Sequence, residues 1–243
     1  MMYRKLPWDS DFFHAAIASV TVDPSDSPAE LETLLKTSPD SCLYLMLPHP
    51  LPSGFSEVLA RRGAECFDRK TTFTKKTLSP SPGTLEIRRV TAPAEDCFNL
   101  AVTSGWKSRF YLDRRFRPFQ PALYRRWVEN CLNSGKASGV WEYRTPDGKL
   151  AGMMCASCAG ATGKIGLIAV DPSCRGKGIG TRLMGEAENF YLGHGCTDAE
   201  VVTQLDNAGA CRLYARCGYG IAGMIEVWHL WTGQSVSFHS KKS

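Results

Sequence analysis

The chain has no run of about eighteen consecutive apolar residues, which excludes a membrane-spanning helix of ordinary length. Its first residues, Met1-Met2-Tyr3-Arg4-Lys5-Leu6-Pro7-Trp8-Asp9, lack the apolar core of a secretion leader, so a cytoplasmic location and no membrane partner are expected. Two nucleotide signatures are also missing. In a Walker A loop Asp171 would have to be glycine and Gly178 would have to be Ser or Thr. In a dinucleotide fingerprint Thr181 or Leu183 would have to be the third glycine. No second CxxC or HxxxH completes Cys155-x-x-Cys158, so no metal is expected and the ten scattered cysteines read as reduced, mostly buried thiols. There is no repeat of fixed period and no nucleic-acid-binding motif, and the net charge of +5 is modest.

What the sequence does contain is a glycine-rich turn between a strand and a helix. The run Ile165-Gly166-Leu167-Ile168-Ala169-Val170 reads as a strand and leads through Asp171-Pro172-Ser173-Cys174 to Arg175-Gly176-Lys177-Gly178-Ile179-Gly180-Thr181. Ile179, Leu183, Ala187 and Phe190 then recur at helical spacing until Gly193 and Gly195 end the pattern. Such a turn leaves backbone N–H groups unpaired at the positive end of a helix, and Arg175 and Lys177 add full charges. A pyrophosphate fits that environment.

Composition suggests two domains. Residues 1–75 read as a small α/β unit, residues 76–84 (Lys-Thr-Leu-Ser-Pro-Ser-Pro-Gly-Thr) as a linker, residues 85–231 as a larger domain and residues 232–243 as a polar tail. Strands are expected at 17–22, 42–47, 70–75, 85–90, 140–144, 150–159 and 198–203, and helices at 28–37, 55–62, 94–103 and 122–133.

The spacing Arg175-x-x-Gly178-x-Gly180 resembles the coenzyme A pyrophosphate loop of the GNAT acyltransferases. Downstream, the strand at 198–203 and the helix Asn207-x-x-Ala210-x-x-Leu213-Tyr214-x-x-x-Gly218-Tyr219 follow in the order of that family's acyl-CoA-binding half. The resemblance implies an α/β (α+β) fold with a mixed, largely antiparallel sheet flanked by helices and splayed where the coenzyme inserts. It also implies acetyl-CoA as acyl donor, held by Ile168, Ala169, Val170, Arg175, Gly176, Lys177, Gly178, Ile179, Gly180, Thr181 and Asn207. Tyr214 is then the general acid for the departing thiolate. A phenol with an ordinary pKa of about 10 is protonated at neutral pH. Tyr214 can equally pack in the core, a reading that Asn207 and Gly218 in their family positions make the weaker one.

A second resemblance concerns the acceptor. Trp106-x-Ser108-Arg109-Phe110, with Asp113, Phe116 and Leu123-Tyr124-x-x-Trp127-Val128-Glu129-Asn130, is similar to GNAT enzymes that acetylate nucleotide-linked amino sugars, as is Leu6-Pro7-Trp8-Asp9-Ser10-x-Phe12-Phe13. This implies a small-molecule partner bound by Ser108, Arg109, Phe110 and Asp113. Arg109 can clamp a phosphate, and Phe110 and Tyr111 can stack on a base. Arg109 and Asp113, four apart, can instead pair across a helical turn. For a general base the nearest candidates are Asp113, Glu142 and His229, with water as the other carrier of the proton. His194, between two glycines at a helix end, reads as a dipole contact. The strand Val227–Trp231 is either the edge of a homodimer or a buried strand.

Overall fold

In a computed structural model of the protein, residues 1–233 are described; the polar tail expected over 232–243 lies almost wholly outside them. Contacts divide the chain into a first unit, Met1–Lys70 with the residues from Met224 on, and a second unit, Thr71–Gly223. The stretch 76–84 lies inside the second unit and is strapped to its neighbours: Ser81 N–H donates to Asn189 Oδ1 at 2.9 Å, Asn189 Nδ2 donates back to Ser81 O at 2.9 Å, and Ser79 N–H donates to Glu188 at 3.3 Å. Its composition suits a linker, but its backbone groups have side-chain partners.

The first unit contains β1 (Met2–Lys5), α1 (Pro7–Phe13), β2 (Ile17–Thr21), α2 (Pro28–Thr37), β3 (Cys42–Pro48) and α3 (Phe55–Arg62). Local chemistry explains α2. Ser27 and Glu30 form a reciprocal capping box, Pro28 supplies a preset φ, and Leu31 and Leu35 fall on one buried face. Two strands carry the chain between units, β4 (Glu65–Lys75) and β10 (Gly220–Trp231). β10 pairs antiparallel with β3 from Ile225↔Pro48 to Trp231↔Cys42, and it stands between β3 and β4 in the strand order. Of the two readings of Val227–Trp231, the structure has the buried strand: it is paired with β3, and Val227, His229 and Leu230 are buried.

The second unit contains β5 (Ile87–Val90), α4 (Glu95–Ser104), α5 (Arg109–Leu112), α6 (Gln120–Asn133), β6 (Ser138–Arg144), β7 (Leu150–Ala159), β8 (Thr162–Val170), α7 (Ile179–Gly193), β9 (Asp198–Gln204) and α8 (Ala208–Arg216). Strands β5 to β8 are antiparallel neighbours, and β9 joins β8 in parallel, so the sheet is mixed. Alternation along β7 sends Met154 and Ala156 into a cluster with Leu183, Met184 and Tyr191 of α7, and Met153 and Cys155 into one with Cys97 and Ala101 of α4 and Val128 of α6. Cys155 and Cys158 consequently belong to opposite faces. No helix among the described residues is long and apolar enough to cross a membrane.

One glycine sets how closely α7 approaches the sheet. A Cβ on Gly163 of β8 would stand 2.2 Å from the ring of Tyr191, which is fully buried. Gly163→Ala should cost about 2–3 kcal/mol by overpacking, read as a lower urea midpoint with an unchanged m-value.

Candidate active site

The glycine turn is held from both ends. After β8, Asp171 closes a short turn by accepting from Ser173 N–H at 2.8 Å and from Ser173 Oγ at 2.5 Å. Lys149 donates to Ser173 Oγ at 2.7 Å, and these hydroxyl and amide bonds, with Lys149 nearby, hold the Asp171 carboxyl below its usual range. Cys174 is buried in the α7-side cluster and anchors the turn, while Arg175 Nε reaches back to Val170 O at 3.3 Å. Gly176 and Gly178 then adopt φ of +78° and +76°, conformations that L side chains resist. α7 starts at once, and no side chain caps it. Its first turn thus presents backbone N–H groups at the positive end of a fifteen-residue helix, beside exposed Arg175 and Lys177.

A cleft opens beside this turn. The parallel ladder between β8 and β9 runs from Thr162↔Asp198 to Ile165↔Val201, yet β8 continues to Val170 and β9 to Gln204. The register between β7 and β8 shifts at the same level, where Cys155 faces Leu167 and Ala156 faces Ile165, so Gly166 is the extra residue of a bulge. The bulge falls directly after Ile165↔Val201, the last pair of the β8–β9 ladder. Ile168 and Val170 pack toward α7, and Ala169 is buried on the α4 and α6 side. Strand backbone groups alternate in direction, so part of those on Leu167–Val170 are left to face the opening.

On the far side, Asn207 caps α8, its Oδ1 accepting from Ala210 N–H at 3.4 Å. α8 rests on the first turn of α7 because position 180 is glycine: a Cβ there would lie 3.0 Å from Leu213. Tyr214 is 3% exposed, edge-on to Phe73 at 5.5 Å and 6.5 Å from Tyr219. Burial pushes its phenol well above the ordinary value, with Cys211 and Cys217 adding to the shift. Among the described residues no group hydrogen-bonds its hydroxyl.

The segment expected to bind the acceptor is turned partly inward. Ser108, Phe110 and Asp113 are buried, with Phe110 packed on Phe116 and Trp127 and Asp113 accepting from Arg115 N–H at 2.9 Å. These three shape the segment from inside, because the short α5 turns them into the protein. Its open surface is made by Trp106 at 53% exposure and Tyr111 at 38%, with half-buried Arg109 and exposed Arg114, Arg115 and Arg117. Lys107 was not read from sequence as a site residue. Its Nζ donates to Asp206 O at 2.7 Å, which joins the acceptor segment to the turn before Asn207. A partner 99 residues away leaves no local pattern to read.

The candidate bases are engaged. Glu142 is buried with Oε2 on Arg144 Nε at 2.7 Å, and His229 belongs to the first unit, where its ring meets Tyr44 and Phe67. His194 stands at the end of α7 with Nδ1 2.9 Å from Phe190 O.

Comparison with known proteins bears on these elements. A profile of the acetyltransferase (GNAT) family matches residues 100–219. An uncharacterised N-acetyltransferase of Methanocaldococcus jannaschii is 36% identical over 74 residues, 30% of this chain and 47% of the relative, so the match spans about half that protein's length. Among solved structures, a GCN5-related N-acetyltransferase from Sphaerobacter thermophilus superposes with a TM-score of 0.61 at 16% identity, covering 93% of this chain and 75% of the other. A conserved protein of unknown function from Staphylococcus epidermidis gives 0.64 at 14% identity, covering 94% and 91%. The family match runs from within α4 through the turn and α8, so residues 100–219 carry the acetyltransferase (GNAT) family pattern.

Proposed function

We propose that this protein transfers the acetyl group of acetyl-CoA to a primary amine carried by a nucleotide-linked amino-deoxy sugar. The observation that carries the first half is the parting of β8 from β9 beside the uncapped start of α7. The residues fit the coenzyme. The first turn of α7 with Gly176, Gly178, Gly180, Thr181, Arg175 and Lys177 offers donors to a pyrophosphate, and the edge of Ile168–Val170 offers strand partners to the pantetheine amides, with Asn207 opposite.

The amine nitrogen attacks the thioester carbonyl carbon, the carbonyl electrons move to oxygen, and on collapse the carbon–sulfur bond breaks. In this reading Ile168 N–H is the nearest donor to the oxyanion, Tyr214 protonates the thiolate, and water takes the proton from the amine. Holding amine and thioester in register can supply on the order of 7–11 kcal/mol, so no strong nucleophile is needed. Burial raises the pKa of the phenol, and it raises that of a thiol leaving into the same environment, so transfer between them stays accessible.

The acceptor class rests on the likeness of residues 106–130 to TDP-fucosamine acetyltransferase and on the surface those residues make. Exposed Trp106 and Tyr111 suit a base or sugar face, and the surrounding arginines suit a diphosphate. The test is thiol release from acetyl-CoA with TDP-4-amino-4,6-dideoxyhexoses, 2-amino sugars, peptides and polyamines. Turnover confined to nucleotide amino sugars is expected. Turnover with peptides or polyamines alone would replace the acceptor class, and coenzyme binding without turnover on any amine would point to a non-catalytic acyl-CoA-binding module.

A further inference from the structure

We propose that Lys107 is a positioning residue that tethers the acceptor-binding segment to the acyl-CoA cleft; this deepens the function proposed above and rests on it. The segment Gly105–Leu112 is built of a short 3-10 turn and a four-residue helix, seated on the protein from inside by buried Ser108 and Phe110 while Trp106 and Tyr111 stay exposed. Inside it, Ser108 N–H bonds Gly105 O, and Tyr111 and Leu112 N–H bond Ser108 O. From this segment Lys107 reaches the β9–α8 turn, its Nζ donating to Asp206 O at 2.7 Å.

That carbonyl is well placed for the task. The same turn is closed by Asn207 N–H on Gln204 O at 2.9 Å, and Asn207 then caps α8, the helix that carries Tyr214 and abuts Gly180 of α7. This charge-assisted bond links the surface proposed for the acceptor to the elements proposed for the donor. The ammonium also lies 4.9 Å from the centroid of the exposed Trp106 indole, so the same charge orients the ring proposed to stack on the acceptor. A lysine has three donors and one is committed here, which leaves two directed away from Asp206.

The test compares wild type, Lys107→Met and Lys107→Arg. Methionine keeps the length and apolar stem of the side chain and removes the donor; arginine keeps a charged donor. Lys107→Met should raise amide hydrogen exchange across residues 105–112 several-fold, and raise KM for the best TDP-amino sugar acceptor about tenfold. It should leave kcat within about threefold and the acetyl-CoA Kd within about twofold. Lys107→Arg should recover most of the KM change. Unchanged exchange in 105–112, or a Met variant that loses kcat and acetyl-CoA affinity together with Tm, would overturn the tether. Failure of the functional reading looks different, since wild type would then bind acetyl-CoA and release no thiol with any amine. In that event the exchange data alone decide: a rise in 105–112 supports the tether and no rise overturns it.

Discussion

Tyr214→Phe should lower kcat about 100-fold while changing the acetyl-CoA Kd by no more than about twofold, measured by thiol release and by calorimetry. The ring keeps its edge contact with Phe73 and its place beside Tyr219, and the lost hydroxyl had no hydrogen-bond partner among the described residues. No buried group is orphaned, so stability should hold and the loss falls on chemistry. The pH dependence gives a second reading. Burial raises the phenol above 10, so Tyr214 stays protonated over the range in which most acceptor amines lose their proton. Rate should therefore rise with pH as the amine deprotonates and fall for want of the acid only above pH 10. The same shift has a sign for stability. A phenol whose folded pKa is raised favours the native state below its unfolded value and works against it as pH climbs past about 10. Tyr191 and Tyr219 are raised in the same way, so Tyr214→Phe should soften the alkaline loss of stability without removing it.

The second large effect belongs to the glycine turn. Gly178→Ala should weaken acetyl-CoA binding about 30-fold and lower the unfolding midpoint modestly, because a left-handed L residue costs about 1–2 kcal/mol in a turn that must be aimed before the ligand arrives. A Cβ at 178 meets nothing within 4 Å of the protein. It projects into open space beside the start of α7, the space assigned to the pyrophosphate. Gly180→Ala makes the contrast. Its added carbon meets Leu213 at 3.0 Å, so its first effect is on the fit of α8 against α7, and thermal unfolding should detect it before coenzyme titration does. If both alanine variants bound acetyl-CoA as wild type does, the turn would not be the pyrophosphate cradle.

The parts of this protein that were readable from sequence are those whose cause is local. α2 and α3 occupy 28–37 and 55–62, and β7 occupies 150–159, as the spacing indicates, because capping residues, glycine stops and apolar periods mark their ends. The turn after β8 is readable for the same reason: glycines at fixed spacing after a β-branched run leave few alternatives. β1 and α1 escaped notice because a four-residue exposed strand and a seven-residue helix carry almost no period. β4 and β10 begin earlier than their apolar halves suggest, at Glu65 and Gly220, since their first residues are exposed and gain order from neighbouring strands.

In the acceptor segment sequence shows which residue types gather and not which way they face. Phe110 and Asp113 carry suitable chemistry but are turned inward, while Trp106, Lys107 and Tyr111 hold the surface. Asp171 is an intermediate case. An Asp-Pro-Ser at a strand end is a recognisable turn former, and its role in bracing the glycine turn can be inferred once that turn is recognised.

The central claim is that acetyl-CoA occupies the opening between β8 and β9 with its pyrophosphate at the start of α7. Backbone amide shift mapping during titration with acetyl-CoA tests it most directly. Saturable one-to-one binding is expected, with the largest shifts on Leu167–Val170, Arg175–Arg182 and Asn207. Shifts concentrated elsewhere, or no saturable binding, would contradict it.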